Sequence, residues 1–203
     1  MSTIGEVEYE CPFCGEKFNY ITQFSYTIFS QNLDFKPFGA AIIPTPVPKC
    51  PKCGLVFFEE LFTKDDINKL KQEFPDNNII KLEPNMPNYY YLAREFELLD
   101  KEMDEIIYFY TSAIWEDNNF FEKIVNIIMT YFDKINNSNK NYYNYKLVKI
   151  DFLRRLKQFK MAQDLIELLK KDNNFPKNTF GKVLDYQLKL IEKEDIYEHE
   201  MPH

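Results

Sequence analysis

One five-residue pattern occurs twice in this chain, as Cys11-Pro12-Phe13-Cys14-Gly15 and as Cys50-Pro51-Lys52-Cys53-Gly54, and it uses all four cysteines. Two residues between cysteines let a tight turn bring both sulfurs to one ion, with backbone N–H groups aimed at the thiolates. Proline fits the second position because its φ suits the turn and no N–H is needed there. Glycine fits after the second cysteine because the chain leaves the turn at positive φ. Two such turns predict a closed tetrahedral site of four sulfurs, with Cys11, Cys14, Cys50 and Cys53 as ligands of a structural Zn²⁺. With every position taken by sulfur, the metal has no place for a reacting water.

Iron is the alternative metal. Rubredoxin-like proteins resemble this chain in having two Cys-x-x-Cys-Gly knuckles, though with a shorter connection and seldom with a long helical partner, and the resemblance implies electron transfer. Two close cysteine pairs read as metal ligands in a reducing compartment rather than as disulfides, so a cytoplasmic location is expected. No apolar run approaches the roughly 20 residues of a membrane helix, and the first residues lack the charged and apolar regions of a signal peptide.

The 35 residues between the knuckles, 15 through 49, exceed what a minimal ribbon needs. Phe18, Tyr20, Phe24, Tyr26 and Ile28 alternate with mainly polar residues, which predicts a half-buried strand. Pro37-Phe38-Gly39 reads as a turn. Pro44, Pro46 and Pro48 predict an extended approach to the second knuckle, and Leu55 to Phe58 a short buried strand. A β unit of about 60 residues builds little core alone, and the metal would stand in for it.

Thr63 is an N-cap followed by Asp65 and Asp66, with Ile67, Leu70 and Phe74 at helical spacing and Pro75 as the stop. Asn77 to Asn88 reads as a linker, so the expected domains are 1–84, a zinc ribbon with one trailing helix, and 85–203, helical. From Asn88 the period is 3.6. Successive stripes run through Tyr91, Leu92, Phe96 and Leu99; Ile106, Ile107, Tyr110, Ala113 and Ile114; Phe121, Ile124, Val125, Ile128 and Phe132; Leu147, Ile150, Leu153 and Leu156; Ala162, Leu165, Ile166 and Leu169; Val183, Leu184, Leu188 and Ile191. Short breaks between them predict antiparallel neighbours. The fold class expected is α+β: a small β ribbon, then an α-helical array.

Leu153 to Ala162, with Leu165, Ile166, Leu169 and Pro176, resembles a tetratricopeptide repeat: helix, tight turn, aromatic residue, small alanine at the crossing, apolar stripe, proline. The preceding unit matches less well, since aligning Phe120 with Phe159 sets Lys123 where Ala162 stands. An ordinary α-bundle has the same periodicity. The order of parts resembles a bacterial family known as a domain of unknown function, which joins a split Cys-Pro-x-Cys-Gly ribbon to a TPR-like half. The residues that carry the likeness are the two knuckles with Phe57 and Phe58, Tyr91-Leu92-Ala93, Ala113-Ile114-Trp115, and Leu153 to Ala162. The resemblance implies an architecture and no activity.

Other candidate sites weigh less. His199-Glu200-Met201-Pro202-His203 matches H-E-x-x-H, but Pro202 denies it the helix that a metalloprotease needs, so either a tail contacting the helical domain or adventitious metal binding is expected. With these the chain's two histidines, His-based catalysis has little support, and no phosphate-binding glycine motif occurs. Lys146, Lys149, Arg154, Arg155, Lys157 and Lys160 form the basic concentration. It reads either as a solvated helix face or as a groove for an acidic peptide or C-terminal carboxylate, with Lys146, Lys149, Arg154 and Arg155 as the partner-binding candidates. The formal charge is −7, and residues 1–63 hold four lysines against seven acids, a balance that disfavours nucleic acid. The function expected is that of a non-enzymatic zinc-binding interaction protein, with a protein or peptide partner on the helical array. Iron electron transfer and nucleic-acid binding through the ribbon are the alternatives.

Overall fold

Alternation and period 3.6 separate the chain into a β part and an α part, and both form. The computed structural model describes residues 3–40, 42–75, 79 and 83–202. Among them, strands β1 (Thr3–Glu10), β2 (Lys17–Ser25), β3 (Thr27–Gln31) and β4 (Pro37–Ala40) precede helices α1 (Lys64–Glu73), α2 (Asn88–Leu98), α3 (Met103–Glu116), α4 (Phe121–Phe132), α5 (Tyr142–Arg155), α6 (Phe159–Lys171) and α7 (Lys177–Glu192). The fold is α+β.

The strands form two two-stranded sheets, β1–β2 and β3–β4. In the antiparallel β1–β2 pair, Tyr9 faces Phe18 and Val7 faces Tyr20, so the predicted alternation holds at Phe18 and Tyr20. It fails at Phe24. Thr3 pairs with Ser25 but Ile4 with Gln23, which leaves Phe24 as an extra residue in a bulge. The bulge reverses the facing, so neighbouring Thr22 and Gln23 are both buried while Phe24, Tyr26 and Ile28 are exposed. Gly5 makes room for the displaced ring, because a Cβ there would lie 2.6 Å from Phe24 Cε2.

The predicted turn at Pro37-Phe38-Gly39 is strand β4 instead. The chain reverses at Leu33 to Lys36, where Phe35 takes a positive φ of 65°, Asp34 Oδ1 accepts from the Lys36 N–H and Asn32 N–H donates to Lys36 O. The predicted strand at Leu55 to Phe58 shrinks to a single bridge between Lys49 and Val56, although Leu55, Val56 and Phe57 are buried as expected. Thr63 caps α1 in a full capping box with Asp66, and α1 ends before Pro75.

The expected boundary at 84/85 is not where the contacts divide. One compact unit comprises Met1–Thr27 and Gly39–Ile124, and the other Ile28–Phe38 and Val125–His203. Of the expected linker, Asn77 to Asn88, residues 77, 78 and 80–82 lie outside the described residues. Ile79 is buried and donates its N–H to Cys53 O at 2.9 Å. The ribbon lacks a core of its own, and α2 and α3 supply one. Tyr9, Phe57, Phe62, Phe96 and Phe109 form a continuous series of ring contacts, with centroids 4.7 to 5.8 Å apart, from β1 to α3. Val56 N–H donates to Glu95 Oε1, and Tyr89 Oη to Thr45 O.

In the second unit, Leu147, Ile150 and Leu153 of α5 pack with Ala162, Ile166 and Leu169 of α6 and with Val183, Leu184, Leu190 and Ile191 of α7. The reversal between β3 and β4 inserts Leu33 into this core. The C-terminal tail clamps that reversal: Leu33 N–H donates to His199 O, Met201 N–H to Gln31 O, and Asn32 bridges Glu200. The H-E-x-x-H residues described, 199–202, are therefore extended against Gln31 to Leu33 and form no helix; His203 lies outside the described residues.

Candidate metal centre

Both knuckles fold by the same local rules. Cys11 N–H donates to Glu16 O and Gly15 N–H to Cys11 O; Cys50 N–H donates to Leu55 O and Gly54 N–H to Cys50 O. Gly15 and Gly54 take φ of 72° and 79°, which an L side chain resists. The repeated five-residue pattern thus produces one repeated turn.

The two turns meet. Cys11 Sγ lies 3.6 Å from Cys53 Sγ, and Cys14 Sγ 3.6 Å from Cys50 Sγ. All four sulfurs lie within 4.8 Å of one another. A tetrahedral ion with metal–sulfur bonds of about 2.3 Å requires sulfurs about 3.8 Å apart, so the set fits one ion. A disulfide needs a separation near 2.05 Å, and the four are free thiols. Each close pair takes one sulfur from each knuckle, so a metal here ties residues 11–14 to residues 50–53. Cys11, Cys50 and Cys53 are buried and Cys14 is partly exposed.

The electrostatics favour thiolate at Cys11, while burial raises Cys14. The Cys53 thiol donating to Cys11, together with the N–H groups of Cys14 and Phe13, outweighs burial and pulls Cys11 down to about 5. Cys53, as the donor of that pair and buried, moves upward. One cation replacing the shared protons resolves this competition. Beside the second knuckle, Lys49 Nζ sits 3.8 Å from the centre of the Tyr91 ring, and burial lowers its pKa against the pull of Glu116 and Glu95. Glu95 is fully buried. Burial pushes its carboxyl well above the usual range, against the Val56 N–H and Lys49.

The basic candidates do not form an open groove. Arg154 is fully buried: its guanidinium donates to Asp151 Oδ1 at 2.6 Å, to Tyr197 O at 2.8 Å and to Asp195 O. Arg155 is buried among Asp34, Asp151 and Glu198 at 3.4, 3.7 and 3.1 Å. Lys149 pairs with Asp133, and Lys146 lies over the Tyr142 ring at 5.0 Å. The arginines are occupied because the acidic tail and the hairpin fold onto them. Arg154 and Arg155 are thus corrected from partner-binding candidates to internal anchors.

Glu95 and Asp151 are the residues overlooked in the sequence, and Arg154 is the one given the wrong role. Each is a charge on an apolar stripe: Glu95 three after Leu92, Asp151 four after Leu147, Arg154 four after Ile150. That placement is the signal that could have found them. Among the described residues, no helix is long and apolar enough to cross a membrane. Comparison of the chain with protein-family models, curated proteins and solved structures finds no match.

Proposed function

We propose that this chain is a non-enzymatic, zinc-stabilised interaction protein of a reducing, cytoplasmic environment. The observation that carries the reading is the set of four sulfurs from two separate knuckles, at the spacing of a closed tetrahedral site. Four sulfur ligands leave a bound metal no open position, so its contribution is to hold the knuckles together and to organise the surface around them. Zinc suits a buried site of four thiolates, and iron is the competing occupant.

The helical part supports a TPR-like reading. Leu156 to Gln158 form the tight turn between α5 and α6, with Lys157 at a φ of 62°; Ala162 is buried, and Pro176 precedes α7. Arrays of this kind offer extended binding surfaces. Met161 and Leu168 remain exposed on α6, available to a protein or peptide partner. The bacterial ribbon-plus-array family is the kindred proposed for this architecture.

Two measurements on the full chain test the reading. Elemental analysis with an absorption spectrum should give one zinc per chain and a colourless protein; equimolar iron with thiolate charge-transfer bands would replace zinc with iron electron transfer. A pull-down with Met161→Asp and Leu168→Asp as controls should lose a specific partner relative to the native chain. An unchanged set of partners moves the interaction off α6.

A further inference from the structure

The β1–β2 sheet has two strands, so β1 presents one unpaired edge among the described residues. Along that strand Glu6, Glu8 and Glu10 occupy alternate positions, and all three are exposed on the outer face. Rise along a strand sets them about 6.8 Å apart. Glu10 faces Lys17 at 3.7 Å, whereas Glu6 and Glu8 have no ion pair among the described residues. At the same end of the sheet lie three exposed apolar side chains, Ile4 at 49%, Ile21 at 60% and the bulged Phe24 at 61% exposure. An edge strand with its own row of like charges, bordered by exposed apolar side chains, is an incomplete surface.

We infer that the free edge of β1 is a docking strand for an extended basic segment of a partner protein, one with Lys or Arg at alternate positions. Main-chain hydrogen bonds to the β1 edge would supply the pairing, and the alternation would supply the register. Residues of the added strand that share the outer face repeat at the same spacing as Glu6, Glu8 and Glu10, so each basic side chain meets a carboxylate. An apolar residue at one end of the segment then covers Ile4 and Ile21. A second copy of this chain is a poor occupant. An antiparallel β1 that continues the same outer face places glutamate opposite glutamate, which repels. A phosphate backbone is repelled by the same row.

The inference requires a folded ribbon and rests on the interaction-protein reading, but it needs no binding by the helices. Its test uses the full-length, zinc-loaded chain and a fluorescein-labelled ten-residue peptide of alternating Lys and Val, followed by fluorescence anisotropy at physiological salt. Binding should weaken about tenfold or more in the Glu6→Lys/Glu8→Lys double variant. It should also weaken for the same peptide N-methylated at every second backbone amide on its pairing edge. Both substitutions lie on an exposed face, and zinc content with far-ultraviolet circular dichroism confirms that the variant is folded. Equal binding by the double variant, equal binding by the N-methylated peptide, or no binding by the native chain overturns the docking strand. Concentration-dependent dimerisation that the double variant abolishes assigns the edge to a second copy and overturns it too. A chain that fails here yet loses partners on α6 substitution keeps the broader reading and loses only this surface.

Discussion

The Val56 N–H donates to Glu95 Oε1 at 3.1 Å, which joins the strand exit of the second knuckle to a helix 39 residues later. The acceptor is a fully buried carboxyl group in the apolar stripe of α2. This bond shows why the ribbon and the first helices form one compact unit. A buried backbone donor must be satisfied, and the partner comes from α2. Glu95→Gln retains an acceptor and should change stability by about 1 kcal/mol or less, whereas Glu95→Leu orphans the Val56 N–H and should cost about 1–3 kcal/mol. Urea unfolding of the zinc-loaded chain separates them; equal costs for both variants would show that the hydrogen bond contributes nothing.

Removing a metal ligand should reach beyond the ribbon. In Cys50→Ser, or after chelation, hydrogen exchange should accelerate in β1, β2, α1, α2 and α3, because they share one unit with the knuckles, while α5 to α7 stay protected. Sequence alone suggests that everything after residue 88 survives loss of the metal. Undisturbed protection in α2 and α3 would restore that boundary.

Arg154 is an anchor rather than a recognition residue. Its guanidinium satisfies Asp151 and the carbonyls of Asp195 and Tyr197. Arg154→Ala takes from the buried Asp151 its 2.6 Å partner, leaving Arg155 at 3.7 Å, and removes the donor to the carbonyls of Asp195 and Tyr197, at a cost of about 3–5 kcal/mol. A thermal melt of the variant should show an early transition with loss of helical signal, and a native melting profile would return Arg154 to the list of surface residues.

Asp34 makes the second unit pH-sensitive. Burial, then repulsion by Asp151, outweighs Arg155 and raises its carboxyl from 3.8 to about 6. The folded state therefore binds more protons than the unfolded state between these values. Its contribution is fully present below pH 4 and is lost as pH rises to about 6, by at most about 3 kcal/mol. Asp34→Asn should remove this downward slope from the stability profile between pH 4 and 6. A slope that persists in the variant assigns the dependence to another group.

The start of α1 gives a local test. Thr63 accepts from the Asp66 N–H, and Asp66 accepts from the Thr63 N–H at 2.8 Å and from Lys101 Nζ at 2.7 Å. Thr63→Ala should lower stability by about 1 kcal/mol. Asp66→Ala should cost more, since Lys101 then loses its partner as well; double-mutant cycles with Lys101→Met measure the difference.

The sequence by itself determined the parts. Spacing within Cys11 to Gly15 and Cys50 to Gly54 dictates two identical turns, because proline and glycine restrict φ locally. Period 3.6 and the breaks near Asp100, Lys157 and Asn174 dictate the helices, because each break is a short-range backbone event. Thr63 and Asp66 could be read as a cap for the same reason. Tertiary structure decided where the parts belong. The bulge at Phe24 depends on pairing with β1, so alternation within β2 could not reveal it. The fate of Arg154 and Arg155 depends on Asp34 and on a tail more than 40 residues away, so their local sequence reads as a basic surface. The division of the chain was decided by burial: a ribbon too small to bury Phe57 and Phe62 alone takes its core from α2 and α3, whatever the linker suggests.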